Sequence, residues 1–375
     1  MNIKHWYRTL DYYLIIPVFF LLTISFILVY SASPAIAQRL SLPQDYFIKR
    51  HIVYIALSLA ALITFSFLNI KAILNLSFMS FVLFIVLMVI VITLGAEAKG
   101  AKRWLYIFKM SIQPSEFMRP FFSVVIASSL ASQIKFKVHI SIIIFLLVFV
   151  LLLLQPDFSM SMLLTYSWMC QMFIACIPFV YFICIGGIVT TGIAGAYFYL
   201  PHVKQRIYNF LFFTQRDNFQ VIKSLEAFKR GQLTGVGPGE GNIKMLLPDC
   251  HTDFVFSVLA EEFGLITCLI ALILFGIIAM RLLYVAYRES VLFNLLVILG
   301  ISIQFITQFI MNIGVTLSVF PTTGITLPLL SYGGSSLLSS SIALGIMLSF
   351  SRNQSTQLSF RERIIFNSNS ELEKT

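Results

Sequence analysis

Charge is what this chain has little of. Asp, Glu, Lys and Arg make up 11% of its residues, where a soluble domain carries roughly 25%. Such a chain cannot clothe a water-facing surface, which all but excludes a soluble enzyme. It also excludes a disordered protein and a collagen-like fibre. Cysteine is sparse too. Cys170, Cys176, Cys184, Cys250 and Cys268 form no CxxC pair, and four of them lie in apolar runs. That pattern fits neither a disulfide framework nor a zinc site. No Gly-Lys-Ser/Thr follows the glycine-rich stretch, so there is no P-loop. No repeat of 20–50 residues is visible.

Apolar length is what the chain has in abundance: 58% of residues are hydrophobic and 37 are Phe. A membrane-spanning helix needs about 20 apolar residues. The sequence predicts an all-α, polytopic membrane protein of about ten spans. They lie near 13–33, 51–68, 73–94, 117–133, 138–155, 158–176, 179–200, 253–282, 290–316 and 328–350. The first follows Lys4 and Arg8 and ends in Ser31-Ala32-Ser33, like a signal peptide. Its apolar run is longer than a signal core, so it reads as an uncleaved anchor.

Residues 1–350 form one transmembrane domain in this reading, with a large outer loop at 201–252 and a polar cytoplasmic tail at 351–375. By raw count, fewer than half of the 26 basic residues fall on the inside when the N-terminus is cytoplasmic. The positive-inside rule weighs short links, however, and Lys71, Lys135, Lys137, Arg281 and Arg288 then all lie inside. Both termini are therefore placed in the cytoplasm. The net charge of +10 points to anionic membrane lipid or an anionic substrate rather than nucleic acid.

Two outer segments concentrate polar chemistry. Residues 201–250 carry Lys204, Arg206, Arg216, Lys223, Lys229, Arg230 and Lys244 against four acids. Residues 95–119 carry Lys99, Lys102, Arg103, Lys109 and Arg119 against Glu97 and Glu116. Jointly they could hold a phosphate-bearing lipid head, or merely sit at headgroup level. Trp104 and Tyr106 suit an interfacial aromatic belt. Glu116 and Arg119 share a helical face and can pair. Asp157, in Gln155-Pro156-Asp157, reads as a cap on the next helix or as a ligand-facing acid.

Asp253 opens an apolar helix. By spacing alone a cap is the simpler reading. The chemical reading is a general base at the membrane surface, with His251 beside it to tune it. Glu261 and Glu262 lie inside the span, where carboxylates are costly and seek a basic partner. Gly235 to Gly241 reads as a flexible turn, with an anion nest as the weaker alternative. Asn312, Gly324, Ser331 and Ser335 fall in a stretch of small residues that permits close packing or lines a cavity.

In order along the chain, Gly100–Tyr106, Gln113–Phe117, Gln155–Asp157, Gln220 to Gly241, His251–Phe256 with Glu261–Gly264, and Asn312–Ser336 resemble the SEDS family (shape, elongation, division and sporulation). Gly324–Leu329 and the Glu261–Gly264 run are closer to its division-type branch than to its elongation-type branch. There are departures: Ser159 replaces the glycine of Gln-Pro-Asp-x-Gly, Arg119 replaces a lysine, Lys223 a glutamine, and Pro238 interrupts the glycine loop.

The resemblance implies ten transmembrane helices and polymerisation of lipid II into peptidoglycan strands at the division septum. It implies a class B penicillin-binding protein and other division proteins as partners, and Asp253 as the essential acid. On that reading Lys102, Arg103, Trp104, Glu116, Arg119, Asp157, Lys223, Ser224, Arg230, His251, Ser331 and Ser335 are the candidate substrate-binding residues. A divalent cation, Mg or Mn, is a possible aid to the diphosphate, although no metal motif is present. A lipid II flippase and a non-catalytic scaffold are the alternatives.

Overall fold

The computed structural model describes residues 3–98, 101–107, 110–199, 219–247, 249–322 and 324–352. Lys99, Lys109, Lys204, Arg206, Arg216 and the tail beyond Arg352 lie outside the described residues. After a short helix α1 (Ile3–Arg8), long helices follow: α2 (Tyr12–Arg39), α3 (Tyr46–Phe67) and α4 (Ile70–Leu94). Next come α5 (Pro114–Ala131), α6 (Lys137–Leu154), α7 (Phe158–Ile174) and α8 (Phe179–Tyr199). The segment from 219 on adds α9 (Phe219–Gly231) and α10 (Ile243–Leu246), then α11 (Val255–Tyr287), α12 (Leu292–Thr316) and α13 (Gly334–Arg352).

Helices stand at all ten places where a span was expected. Seven of them, α2, α3, α4, α6, α11, α12 and α13, are long and apolar enough to cross a membrane by length and composition. The protein is a multi-pass membrane protein; a count of ten spans goes beyond that criterion. α7 is 17 residues long, and α5 carries Glu116 and Arg119 in its first two turns.

The two basic outer segments carry regular structure that the sequence reading did not include. Residues 96–112 form a three-stranded antiparallel sheet, β1 (Ala96–Ala98), β2 (Ala101–Ile107) and β3 (Met110–Ile112). Its register sets Glu97 opposite Lys102 and Leu105 opposite Ile112, with a bulge at Ala96/Glu97. The loop at 201–252 carries α9, whose buried stripe of Val221, Ser224, Ala227 and Gly231 recurs every three or four residues and packs on α11.

The bundle has a buried centre. The most apolar window of α13 is 83% buried, against 22% for α4. α5 packs against α4, α6, α7 and α12. Lipid offers helices no hydrophobic drive to associate, so small residues and polar bonds take that role. Gln171 Nε2 donates to Ser123 O and Leu296 O, each at 2.9 Å. A Cβ at Gly300 would stand 2.5 Å from Gln171 Nε2, so only glycine leaves room for that side chain.

The 33 residues of α11 would span about 50 Å as one rod. The helix is broken instead at Gly264, where φ is 76° and ψ is −178°. A break in lipid frees backbone groups that water cannot reach. Here the turn after α9 meets them. Val236 N donates to Glu261 O and Gly237 N to Glu262 O, each at 3.0 Å, while Leu265 N and Ile266 N donate to Gln232 O and Leu233 O. Gly235 lies against the break at φ 83°, and a Cβ there would stand 2.2 Å from Glu262 O. The glycine-rich run is therefore a pinned splice, not a flexible turn.

The two buried glutamates complete the splice. Glu261 Oε1 accepts from the backbone N of Asn242 (2.8 Å) and Ile243 (3.0 Å), and lies 3.6 Å from Arg230. Glu262 Oε1 pairs with Lys244 Nζ at 2.5 Å, and its other oxygen accepts from Ser31 of α2. The sequence asks for a basic partner; the fold supplies Lys244 and Arg230. Removing one partner of a buried pair costs roughly 3–5 kcal/mol. Lys244→Met should therefore lower the melting temperature of the detergent-solubilised protein sharply. The double variant Lys244→Met with Glu262→Gln should recover most of the loss.

Candidate active site

α11 does not begin on Asp253. Its N-cap is Phe254, whose side chain makes no cap bond, and Asp253 stands one residue earlier in a turn. The turn is docked, by both faces, on the segment between α12 and α13. Asn312 Nδ2, on α12, donates to the carbonyl of Asp253 at 2.8 Å and to that of Ile325 at 2.7 Å. Ser331 Oγ donates to Thr252 O at 2.5 Å and accepts from Leu327 N at 2.8 Å. Tyr332 N donates to His251 O at 2.8 Å. Asp253 is left half-buried, with Oδ2 facing Gly324, 3.7 Å from where a Cβ would stand.

His251 is buried, its ring centroid 5.3 Å from Phe47 and 5.0 Å from Tyr332. The Tyr332 ring also approaches His51 and Tyr54 of α3. Ser25 of α2 donates to Leu330 O at 2.7 Å and lies 3.0 Å from His51 Nε2. α12 and the segment before α13 thus bond the backbone around Asp253 directly, and α2 and α3 pack behind that segment.

A second polar cluster adjoins the first through α13. Gln113 N donates to Ser335 Oγ at 3.0 Å, and Gln113 Nε2 to Asp157 Oδ2 at 3.2 Å. Asp157 caps α7 through Met160 N, so the cap reading describes its geometry. Burial pushes the Asp157 carboxyl above the usual carboxylate range, against the opposing pull of Arg103. Arg103 Nη1 stands 3.8 Å from Asp157, and its Nε donates to Gln155 O at 3.0 Å.

Glu116 and Arg119 pair at 2.9 Å in the interior. Arg119 also donates to Gln308 Oε1 at 2.5 Å, and Gln308 Nε2 donates to Thr326 O at 2.9 Å. Thr326 is two residues from Gly324. One bonded chain therefore runs from the paired Glu116 and Arg119 to the segment that faces Asp253.

The structure brings Arg103, Glu116, Arg119, Asp157 and Ser335 into one network and joins it to Asp253, His251 and Ser331. β2 carries Lys102, which is exposed, and Trp104, which is half-buried. The α9 candidates have different surroundings. Ser224 is fully buried and bonded to Ser257 Oγ of α11 (2.6 Å) and Thr316 O of α12 (2.7 Å). It clips α9 one turn beyond Asp253 and Asn312. Lys223 pairs with Glu226 at 2.6 Å on the outer face of α9, and Arg230 is held by Glu261. Gln308 and the bridging role of Asn312 escape sequence reasoning, although amides inside apolar helices are the available signal.

The described residues contain no group of three or more His, Cys, Asp or Glu side chains able to hold a metal. A cation caged by protein ligands alone does not fit them.

The cell cycle protein family that comprises FtsW, RodA and SpoVE matches residues 12–356. The chain belongs to the FtsW/RodA/SpoVE family. Among its relatives in this family, a probable peptidoglycan glycosyltransferase FtsW of Caulobacter vibrioides is 34% identical over 354 residues, 93% of this chain and 91% of that protein. Stage V sporulation protein E of Bacillus subtilis is 31% identical over 363 residues, 91% of this chain and 97% of its own. In structure, a chain solved for the structural coordination of polymerization and crosslinking by a peptidoglycan synthase complex matches with a TM-score of 0.77 and 25% identity. That match covers 92% of this chain and 98% of the other.

Asn312→Ala removes two buried hydrogen bonds, each worth about 1 kcal/mol or somewhat more. Amide hydrogen exchange across 249–254 and 325–331 should then accelerate by about tenfold or more. Exchange in α6 and α7 should stay as in the wild type.

Proposed function

We propose that this protein is an inverting peptidoglycan glycosyltransferase that polymerises lipid II into glycan strands during septal wall synthesis. The observation that carries the reading is the half-buried Asp253 carboxylate on a turn that Asn312, Ser331 and Tyr332 hold rigid. Its relatives named as probable peptidoglycan glycosyltransferases support the reaction class.

Asp253 takes the proton of the acceptor sugar's C4 hydroxyl as that oxygen attacks the anomeric carbon of the growing chain. The bond to the undecaprenyl diphosphate breaks on the opposite face, which turns an α-linked donor into a β-linkage. A base gains from fixed geometry more than from strength, because misplacement by an ångström is costly. Diphosphate is already a good leaving group, so stabilising its charge matters as much as the base.

Lys102 is the cation best placed for that task, since it stands exposed; Lys223 is half-buried and already paired with Glu226. Arg103 and Arg230 are engaged with protein carboxylates or carbonyls and act by holding β2 and α9 in place. Trp104 offers an apolar face for a sugar ring. A Mg or Mn ion, if used, would sit on the diphosphate with one or two carboxylates at most, and no step here depends on it.

The protein sits in the bacterial cytoplasmic membrane with both termini inside. Asp11, beside α2, bonds to Ser351 near the end of α13, so the first and last described segments share one side of the bundle. A class B penicillin-binding protein supplies the crosslinking activity, and the match to a chain of a peptidoglycan synthase complex supports such a partner. Other division proteins complete the assembly.

The test is polymerisation of labelled lipid II by the purified protein with its partner transpeptidase. Wild type should make glycan strands, and Asp253→Asn should make none while its melting temperature is kept. Strands from both would place the base elsewhere, with Glu116 the next acid to test. Lipid II crossing vesicles with no strands formed would replace the polymerase by a flippase.

A further inference from the structure

At the end of α11 far from Asp253, the surface carries a groove of about 510 Å³ between α2 and α11. Its wall is one face of α11: Ile273, Gly276, Ile277 and Met280, with Tyr13 of α2 across from them. These side chains turn outward, with Ile273 61% and Met280 69% exposed. A Cβ at Gly276 would meet nothing within 4 Å, so the glycine opens the floor. Unbranched apolar space of this shape inside a membrane suits an acyl chain.

The end of the groove is cationic. Arg281 closes it, with its Nε bonded to both Asp11 oxygens at 3.0 and 2.8 Å. Among the described residues, the two Nη groups of Arg281 meet no hydrogen-bond acceptor. The guanidinium carbon lies 5.3 Å from the Tyr13 ring centroid and 5.0 Å from that of Tyr284. Arg288 lies over the other reach of Tyr284 and forms no ion pair among the described residues. Arg352 shares this side of the bundle, with its guanidinium donating to Ser66 O and Leu68 O, so three arginines stand against Asp11 and Glu289. Forked N–H donors at headgroup depth match a phosphate.

We propose that this groove binds one anionic diacyl phospholipid, with an acyl chain along Gly276 and the phosphate on Arg281 and Arg288. The site is separate from the Asp253 turn and does not rest on the proposed reaction. A basic pocket between helices at the edge of the bilayer is the physical setting in which anionic lipids are retained. The bound lipid would brace α11 against α2 on the side where Asp11 ties both to α13.

Native mass spectrometry of the purified full chain tests this, using palmitoyl-oleoyl phosphatidylglycerol against phosphatidylcholine of the same chains. Wild type should retain phosphatidylglycerol at least about fivefold better, the effect expected of one basic residue at a membrane surface. Arg288→Gln should lower phosphatidylglycerol retention about fivefold and leave phosphatidylcholine unchanged. Gly276→Leu fills the groove, leaves the pair between Arg281 and Asp11 intact, and should abolish the preference with an unchanged melting temperature. Equal retention of the two lipids by wild type overturns the proposal. So does full retention by Gly276→Leu. A Gly276→Leu variant that keeps its lipid but elutes as a smaller oligomer overturns it too, and makes this face a contact between protein chains.

Discussion

The break in α11 at Gly264 is the constraint on which the rest of the structure depends. In lipid a helix cannot be interrupted unless protein meets every freed amide and carbonyl. The turn from Gln232 to Gly237 does so strand-fashion, with four backbone bonds across the break. That contact works only because Gly235 and Gly264 both adopt left-handed φ and carry no Cβ. Glu261 and Glu262 then lie next to the break, with Arg230 and Lys244 as their counter-charges. Buried pairs of this kind contribute little net stability over an apolar core. They specify one arrangement, however, because any other leaves a bare charge inside.

The consequences reach the candidate site. Once the turn after α9 is tied to the break, Ser224 of α9 falls beside Ser257 and Thr316, and α9 is fixed along the start of α11. The same start carries the Asp253 turn. On its other side, Asn312, Ser331 and Tyr332 bind that turn to the segment before α13. Glu116 and Arg119 support that segment from beneath through Gln308. Asp253 is therefore a half-buried acid on a frame whose polar atoms are bonded inward. Such a frame costs no reorganisation when charge develops, which is what electrostatic catalysis requires.

The order of the apolar runs was legible in the chain, because hydropathy is a local property and a bilayer imposes one length on every span. So was the list of polar residues that matter, since a carboxylate or amide inside an apolar helix is costly enough to need a reason. Glu261 and Glu262 stand out on that ground, and both meet a cation in the fold. The sheet at 96–112 was not legible. Its strands are three to seven residues long, and short runs of that kind give too few periods to register. The glycine run was legible as a turn but not as a splice, because its partner lies across the fold on α11.

The sequence by itself determined a multi-pass helical membrane protein with an acid at the mouth of its eighth long helix. Only the tertiary structure decided which cation meets which acid. Lys244 rather than another basic residue of the outer loop neutralises Glu262, and Arg230 turns to Glu261 instead of outward to a ligand. It also decided that Phe254 holds the cap position, so that Asp253 lies in the turn one residue before it. The physical reason is range. Burial and helix length follow from neighbours along the chain, whereas ion pairs and hydrogen bonds between distant segments exist only after the helices have packed.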